Sequence, residues 1–150
     1  MSIRRATSAD STGAAAVVRA VYAEHGFTWD ASGYHADLDD VEESYSAFFV
    51  AELDGAIVGT AGLSEGGSLE RLYVLPRARG AGLGARLLRA VIDEARRRGH
   101  TRLDIWTDKV LVEAHRLYER FGAYRDGERV NDDPDASAEW RYVLTLSGAA

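Results

Sequence analysis

Cysteine is absent from all 150 residues. Disulfides, thiolate metal sites and a cysteine nucleophile are therefore excluded together. No apolar run approaches the ~20 residues that a membrane-spanning helix needs. The first ten residues, MSIRRATSAD, lack the apolar stretch of a signal peptide, so the expected location is the cytoplasm, away from membranes. Positive charge is missing from a long window. No Lys or Arg occurs between Arg19 and Arg71, where Glu24, Asp30, Asp37, Asp39, Asp40, Glu42, Glu43, Glu52, Asp54, Glu65 and Glu70 all fall. From Arg71 to Arg129 the chain is rich in arginine. The net charge of -6 speaks against a nucleic-acid partner.

An apolar content of 46% supplies an ordinary globular core, and the length suits one domain over residues 1–150. Residues 2–6 read as a first strand. Thr7 or Ser8 then caps a helix built on AAAVVRAVY. Residues 26–40 show no clear period, carry Trp29 and Tyr34, and read as a loop facing substrate, with a short helix over 38–45. Strands over 48–53 and 56–63 flank Asp54-Gly55, a strong hairpin signal. A third strand over 68–74 ends at Pro76. Leu83, Leu87, Leu88, Val91, Ile92 and Ala95 recur at helical spacing, before Arg96, Arg97, Arg98 and Gly99. A strand over 102–107, a helix over 110–121 and strands over 124–130 and 138–146 complete the order. The single β-α-β crossover is where a parallel pair must arise. The last strand is an edge with which a second copy can pair, which makes a homodimer the expected assembly.

The stretch LPRARGAGLGARLL places Gly80, Gly82 and Gly84 between a strand and a helix. A helix start leaves amides unpaired and carries partial positive charge, so it suits an anion. Glycine clears side chains away from those amides, and Arg77, Arg79 and Arg86 add charge. Gly80, Gly82 and Ala85 formally match a dinucleotide-binding G-x-G-x-x-A. That motif wants its strand to run straight into the first glycine, whereas PRAR intervenes here. A P-loop fails for want of Gly-Lys-Ser/Thr. Gly62-Leu63-Ser64-Glu65-Gly66 fits the nucleophile elbow G-x-S-x-G. An elbow must lead into a helix, and a strand follows here, so a turn is expected.

The residues LERLYVLPRARGAGLGARLL resemble the acetyl-CoA-binding motif of the GNAT superfamily of N-acetyltransferases, R/Q-x-x-G-x-G/A, which Arg79, Gly82 and Gly84 fill. Ala114-His115-Arg116-Leu117-Tyr118-Glu119-Arg120-Phe121-Gly122 resembles that family's second motif, A-x-x-L-Y-x-x-x-G. The resemblance extends to the order of strands and helices. It implies an α/β GNAT fold: a mixed, mostly antiparallel central sheet with one splayed parallel strand pair, flanked by helices.

The same resemblance implies roles. Main-chain groups of Leu72 and Val74 would pair with the pantetheine arm of acetyl-CoA. Amides around Arg79, Gly80, Gly82, Leu83, Gly84 and Ala85 would take its pyrophosphate, and no metal is implied. A substrate amine would attack the thioester directly, with Tyr118 as acid toward the leaving thiolate. The plain alternative for Tyr118 is a core tyrosine beside Ala114, Leu117 and Phe121 on one helix face. Three candidates stand for the base: Glu70, placed by strand alternation on one face with Ser68, Leu72 and Val74; a water chain to a distant carboxylate; and His115. Ser68 occupies the position of the best-known family glutamate. Two departures concern the thioester end: Leu111 stands where asparagine is usual, and Gly122-Ala123 where glycine-phenylalanine is usual. They leave open a domain that binds acyl-CoA without turnover. The charge division implies a cationic acceptor, either a small amine or a peptide amine.

Overall fold

A computed structural model describes residues 1–146. Its strands are β1 (Ser2–Arg5), β2 (Ala47–Leu53), β3 (Ala56–Leu63), β4 (Leu69–Val74), β5 (Arg102–Asp108), β6 (Tyr124–Val130) and β7 (Ala138–Thr145). Its helices are α1 (Ser11–His25), α2 (Val41–Ser44), α3 (Leu83–Arg97) and α4 (Val112–Arg120). Among the described residues no helix is long and apolar enough to cross a membrane.

The strands form two sheets, β1-β2-β3-β4 and β5-β7-β6, antiparallel throughout. They meet through one parallel bridge, Ser68 with Asp104, where the Asp104 N–H donates to Gly67 O at 3.0 Å. Beyond it β4 and β5 part, which is the expected splayed pair. The expectation about the last strand is overturned. β7 lies between β5 and β6, so both its edges are filled and β6 is the open edge.

Each face of the four-stranded sheet is covered by a helix. α3 buries Leu83, Leu87, Leu88, Val91, Ile92 and Ala95 against Ala51, Ala61, Leu63 and Leu69. Each Leu, Val or Ile side chain so buried contributes about 1.5–3 kcal/mol. α1 covers the other face, where Val18 and Tyr22 meet Phe48 and Val50. Asp54 and Gly55 both take positive φ, 53° and 79°, as a two-residue hairpin turn of the expected kind requires. α4 starts two residues later than the expected 110, because Asp108 Oδ1 holds the Val110 N–H in a turn first. Ser64 lies in the β3–β4 turn, its hydroxyl accepting from the Ser68 N–H.

One irregularity decides where side chains point. Gly62 faces Glu70 and Thr60 faces Tyr73, so two residues of β4, Arg71 and Leu72, oppose the single residue Ala61. Arg71 sits in this bulge at φ 53°, and its carbonyl accepts from Thr60 Oγ1 at 2.6 Å. Opposed residues share a sheet face. Glu70 and Tyr73 therefore lie on the α1 face, whereas Leu69 and Val74 lie on the α3 face. The expectation that Glu70 shares a face with Val74 is corrected. Strict alternation ends at the inserted residue.

Candidate active site

The gap between β4 and β5 opens into two joined spaces. The outer cleft, about 650 Å³, is walled by Val74, Arg79, Gly80, Gly82, Leu83, Gly84 and Ala85 on one side and by Val110, Val112, Glu113 and Leu117 on the other. The inner cavity, about 70 Å³, is lined by Tyr34, Glu70, Trp106, Asp108, Tyr118 and Glu139, among others. Leu72, Tyr73, Leu111 and Ala114 line both spaces and so mark their junction.

The outer cleft combines open main-chain donors with an apolar wall. Gly80 and Gly82 take φ of 87° and 78°, with nothing within 4 Å of an added Cβ, so the glycines serve backbone shape and leave the space before them open. Gly82 caps α3 without a side-chain bond, and the first intrahelical bond runs from the Arg86 N–H to Gly82 O. The Leu83, Gly84 and Ala85 amides precede that bond, at the positive end of the helix dipole. Gly84 differs from the other two. It needs no positive φ, and its Cβ position lies 3.4 Å from Leu117. The Leu75 N–H donates to Val58 O at 2.8 Å. By antiparallel alternation Val74 then turns its own main-chain groups to the gap. The Val74 carbonyl accepts from Arg79 Nε at 3.0 Å. Val110 and Val112, 59% and 50% exposed, give the far wall an apolar rim that the sequence did not single out.

The arginine-rich half reaches this cleft less than expected. Of Arg77, Arg79 and Arg86, only Arg79 lines it, together with Arg120. The Arg79 guanidinium is clasped by Glu24 through both nitrogens, at 2.6 and 2.7 Å. The acidic window is likewise engaged: Asp37 pairs with Arg71, while Asp40 and Glu42 accept from Ser8. The carboxylates that line the inner cavity are instead Glu70, Asp108, Asp133 and Glu139.

Glu70 makes no hydrogen bond or ion pair among the described residues. Glu70 keeps an exposed surface, yet the walls beside it displace part of its hydration and raise its pKa, and Asp37 and Glu139 add to this against the pull of Arg71 and Arg129. Burial likewise raises the Glu139 carboxyl, opposed by a 2.8 Å bond from Arg129 Nε. Arg71 has its guanidinium turned inward, to both Asp37 oxygens at 2.9 and 3.1 Å and to Tyr34 O at 2.8 Å. The cavity thus offers acceptors rather than free cations.

Tyr118 is 4% exposed, and its hydroxyl has no hydrogen-bond partner among the described residues. Burial pushes its phenol well up, so it stays protonated at neutral pH. Tyr73, unassigned from the sequence, is half-buried at the junction; burial raises its phenol too, opposed by Arg71 and by a hydrogen bond with Tyr22. His115 has a structural role instead. Its Nε2 lies 3.0 Å from Asp108 O, its ring stacks on Tyr142, and it does not line the cavity. Tyr34 and Phe27 of the 26–40 loop do line the cavity, whereas Trp29 stacks on His35 at 4.2 Å. Glu139 and Trp106 escaped the sequence reading because only the packing of the two sheets brings them to the cavity that Glu70 lines.

Known proteins carry the same pattern. The sequence profile of the Acetyltransferase (GNAT) family matches residues 14–123. The uncharacterized N-acetyltransferase YjgM of Escherichia coli (strain K12) is 36% identical over 133 residues, 80% of each chain. N-acetylaspartate synthetase of Rattus norvegicus is 36% identical over 98 residues, which are 59% of this chain and 33% of that protein. The yncA structure from Salmonella typhimurium, solved with its cofactor acetyl-CoA, superposes with a TM-score of 0.76 at 25% identity, covering 100% of this chain and 96% of that one. A GNAT acetyltransferase structure from Staphylococcus aureus Mu50 reaches a TM-score of 0.83 at 19% identity, over 97% and 99%. The splayed strands, the open glycine turn and these likenesses agree: the chain belongs to the GNAT family of acetyltransferases.

Proposed function

We propose that the chain, acting as one domain, transfers the acetyl group of acetyl-CoA to a cationic primary amine by direct attack in a ternary complex. The observation that carries this reading is the junction. An outer cleft with open helix-start amides meets, at Leu72 and Tyr73, an inner cavity holding an unpaired carboxyl and an unpaired phenol.

Gly80, Gly82, Leu83, Gly84 and Ala85 would hold the pyrophosphate, with Arg79 released from Glu24 to join them. Leu72 and Val74 would hold the pantetheine arm. Bound acetyl-CoA supplies a thioester, an acyl donor open to a neutral amine. Glu70 takes the proton of the incoming ammonium, directly or through one water. Its raised pKa suits that exchange better than an ordinary carboxylate. Tyr118 supplies a proton on the thiol side. The cavity's carboxylates favour an acceptor with a second positive group and disfavour an acidic one such as aspartate. The cytoplasm is the proposed compartment.

The test is release of CoA thiol from acetyl-CoA against grouped amines: diamines, amino sugars, amino acids and peptides. A diamine should outpace aspartate, and Tyr118→Phe should slow release. Acetyl-CoA binding without release across the whole panel would identify an acyl-CoA sensor instead.

A further inference from the structure

We propose that residues 27–39 form a strap fastened across the inner cavity, and that this strap restricts the acceptor to small amines and keeps peptide amines out. The proposal rests on the reading that the inner cavity receives the amine.

The strap is anchored at both walls. On the four-stranded sheet, Arg71 in the β4 bulge binds Tyr34 O and Asp37, and its guanidinium lies 4.9 Å from the Tyr34 ring centroid. On the three-stranded sheet, the turn between β6 and β7 reaches back. Asp135 accepts from the Thr28 N–H at 2.7 Å and from the Thr28 hydroxyl at 2.6 Å. Asn131 Nδ2 donates to the Tyr34 hydroxyl at 2.8 Å. β4 and β5 are parting here, so these bonds join two sheets whose strands, among the described residues, pair with each other only at the Ser68–Asp104 bridge. Tyr34, which lines the cavity, is held from both sides.

Size follows from this closure. An extended peptide needs a groove open along several residues, at about 3.3 Å each. With the strap fastened, the inner cavity offers about 70 Å³. That is far below the ~300–1,000 Å³ of pockets that envelop large ligands. Thr28 and Asp135 are exposed, so water competes for their bonds and the strap can loosen for a small acceptor.

The experiment compares the full-length protein with Asp135→Ala/Asn131→Ala, using putrescine and a short lysine-containing peptide as probes. The wild-type protein should prefer putrescine in kcat/KM. The double variant should narrow that preference by about fivefold, the upper worth of an exposed charged contact. Its KM for acetyl-CoA should not move, since neither residue lines the outer cleft. Equal use of both probes by the wild-type protein, or an unchanged ratio in the variant, overturns the proposal. Thr28→Val serves as a second variant should the double one melt early. Hydrogen exchange at the Thr28 amide gives a readout independent of turnover. Protection in the wild-type protein, lost in Asp135→Ala, supports the strap even if neither amine is acetylated. An unprotected Thr28 amide rejects it, whatever the fate of the acetyl-transfer reading.

Discussion

Loss of hydration raises the pKa of both Tyr118 and Glu70, the two groups proposed as acid and base. A buried phenol keeps its proton, and a carboxyl that faces the cavity while still touching solvent holds its proton more tightly than usual. Tyr118→Phe removes only the hydroxyl, and kcat should fall about 100-fold or more, the usual share of a general acid, with little change in acetyl-CoA affinity. Steady-state rates beside calorimetric binding check this. Glu70→Gln should abolish the acidic limb of the pH–rate profile, because the wild-type carboxyl stops accepting protons as pH falls through its raised pKa. Stability has its own sign. The native state binds the Glu70 proton more tightly than the unfolded chain does, so this group costs stability as pH rises through the raised value. Glu70→Gln should therefore melt higher than wild type at neutral pH, and the difference should vanish in acid. A variant that melts lower at neutral pH would show Glu70 to be a structural partner instead.

At the scale of elements, the β4 bulge and the start of α3 set the site. Arg71, with its side chain only 10% exposed, ties the bulge to Asp37, which also accepts from the Tyr45 hydroxyl. Removing one partner of such a pair costs about 3–5 kcal/mol, because a charge is left without its counterpart. Arg71→Ala should lose about that much in a denaturant titration. Arg71→Lys should recover little, since an ammonium cannot bridge both Asp37 oxygens and Tyr34 O at once. The glycine turn answers to backbone shape. Gly82→Val places a β-branched residue at φ 78°, a conformation that costs about 1–2 kcal/mol for an L side chain, and puts a side chain before the amides. Acetyl-CoA affinity should drop in calorimetry more than the melting temperature does. An unaltered affinity would mean that the phosphates bind elsewhere.

The whole molecule is two sheets joined at one bridge over a shared core, with charge arranged differently from its order along the chain. Much of the acidic window closes on Arg71, Arg79 and Ser8, while the inner cavity draws its carboxylates from β4, β5, β7 and the turn before β7. Steering of a cationic acceptor toward them should weaken with salt, since screening acts within about 10 Å at 0.1 M. The KM for a diamine should rise between low and high ionic strength, and the KM for a neutral amine should not. Equal responses would leave the cavity's charge without a role in selection.

Local signals carried much of this protein. Asp54-Gly55 specified its hairpin, the aliphatic spacing after Leu83 specified α3, and the glycines before Leu83 marked the open turn that leads into α3. Each depends on residues a few positions apart, which a linear reading can follow. The placement of Glu70, the central position of β7 and the meeting of Tyr34 with Asn131 depended on contacts between residues far apart in the chain. One inserted residue in β4 turned Glu70 away from Val74, because a strand's alternation holds only while its ladder is unbroken. The sequence by itself determined the elements and the anion-ready turn. Only the packing of the two sheets decided which side chains share the cavity, because burial and pairing, not spacing, determine where a charged group can remain unpaired.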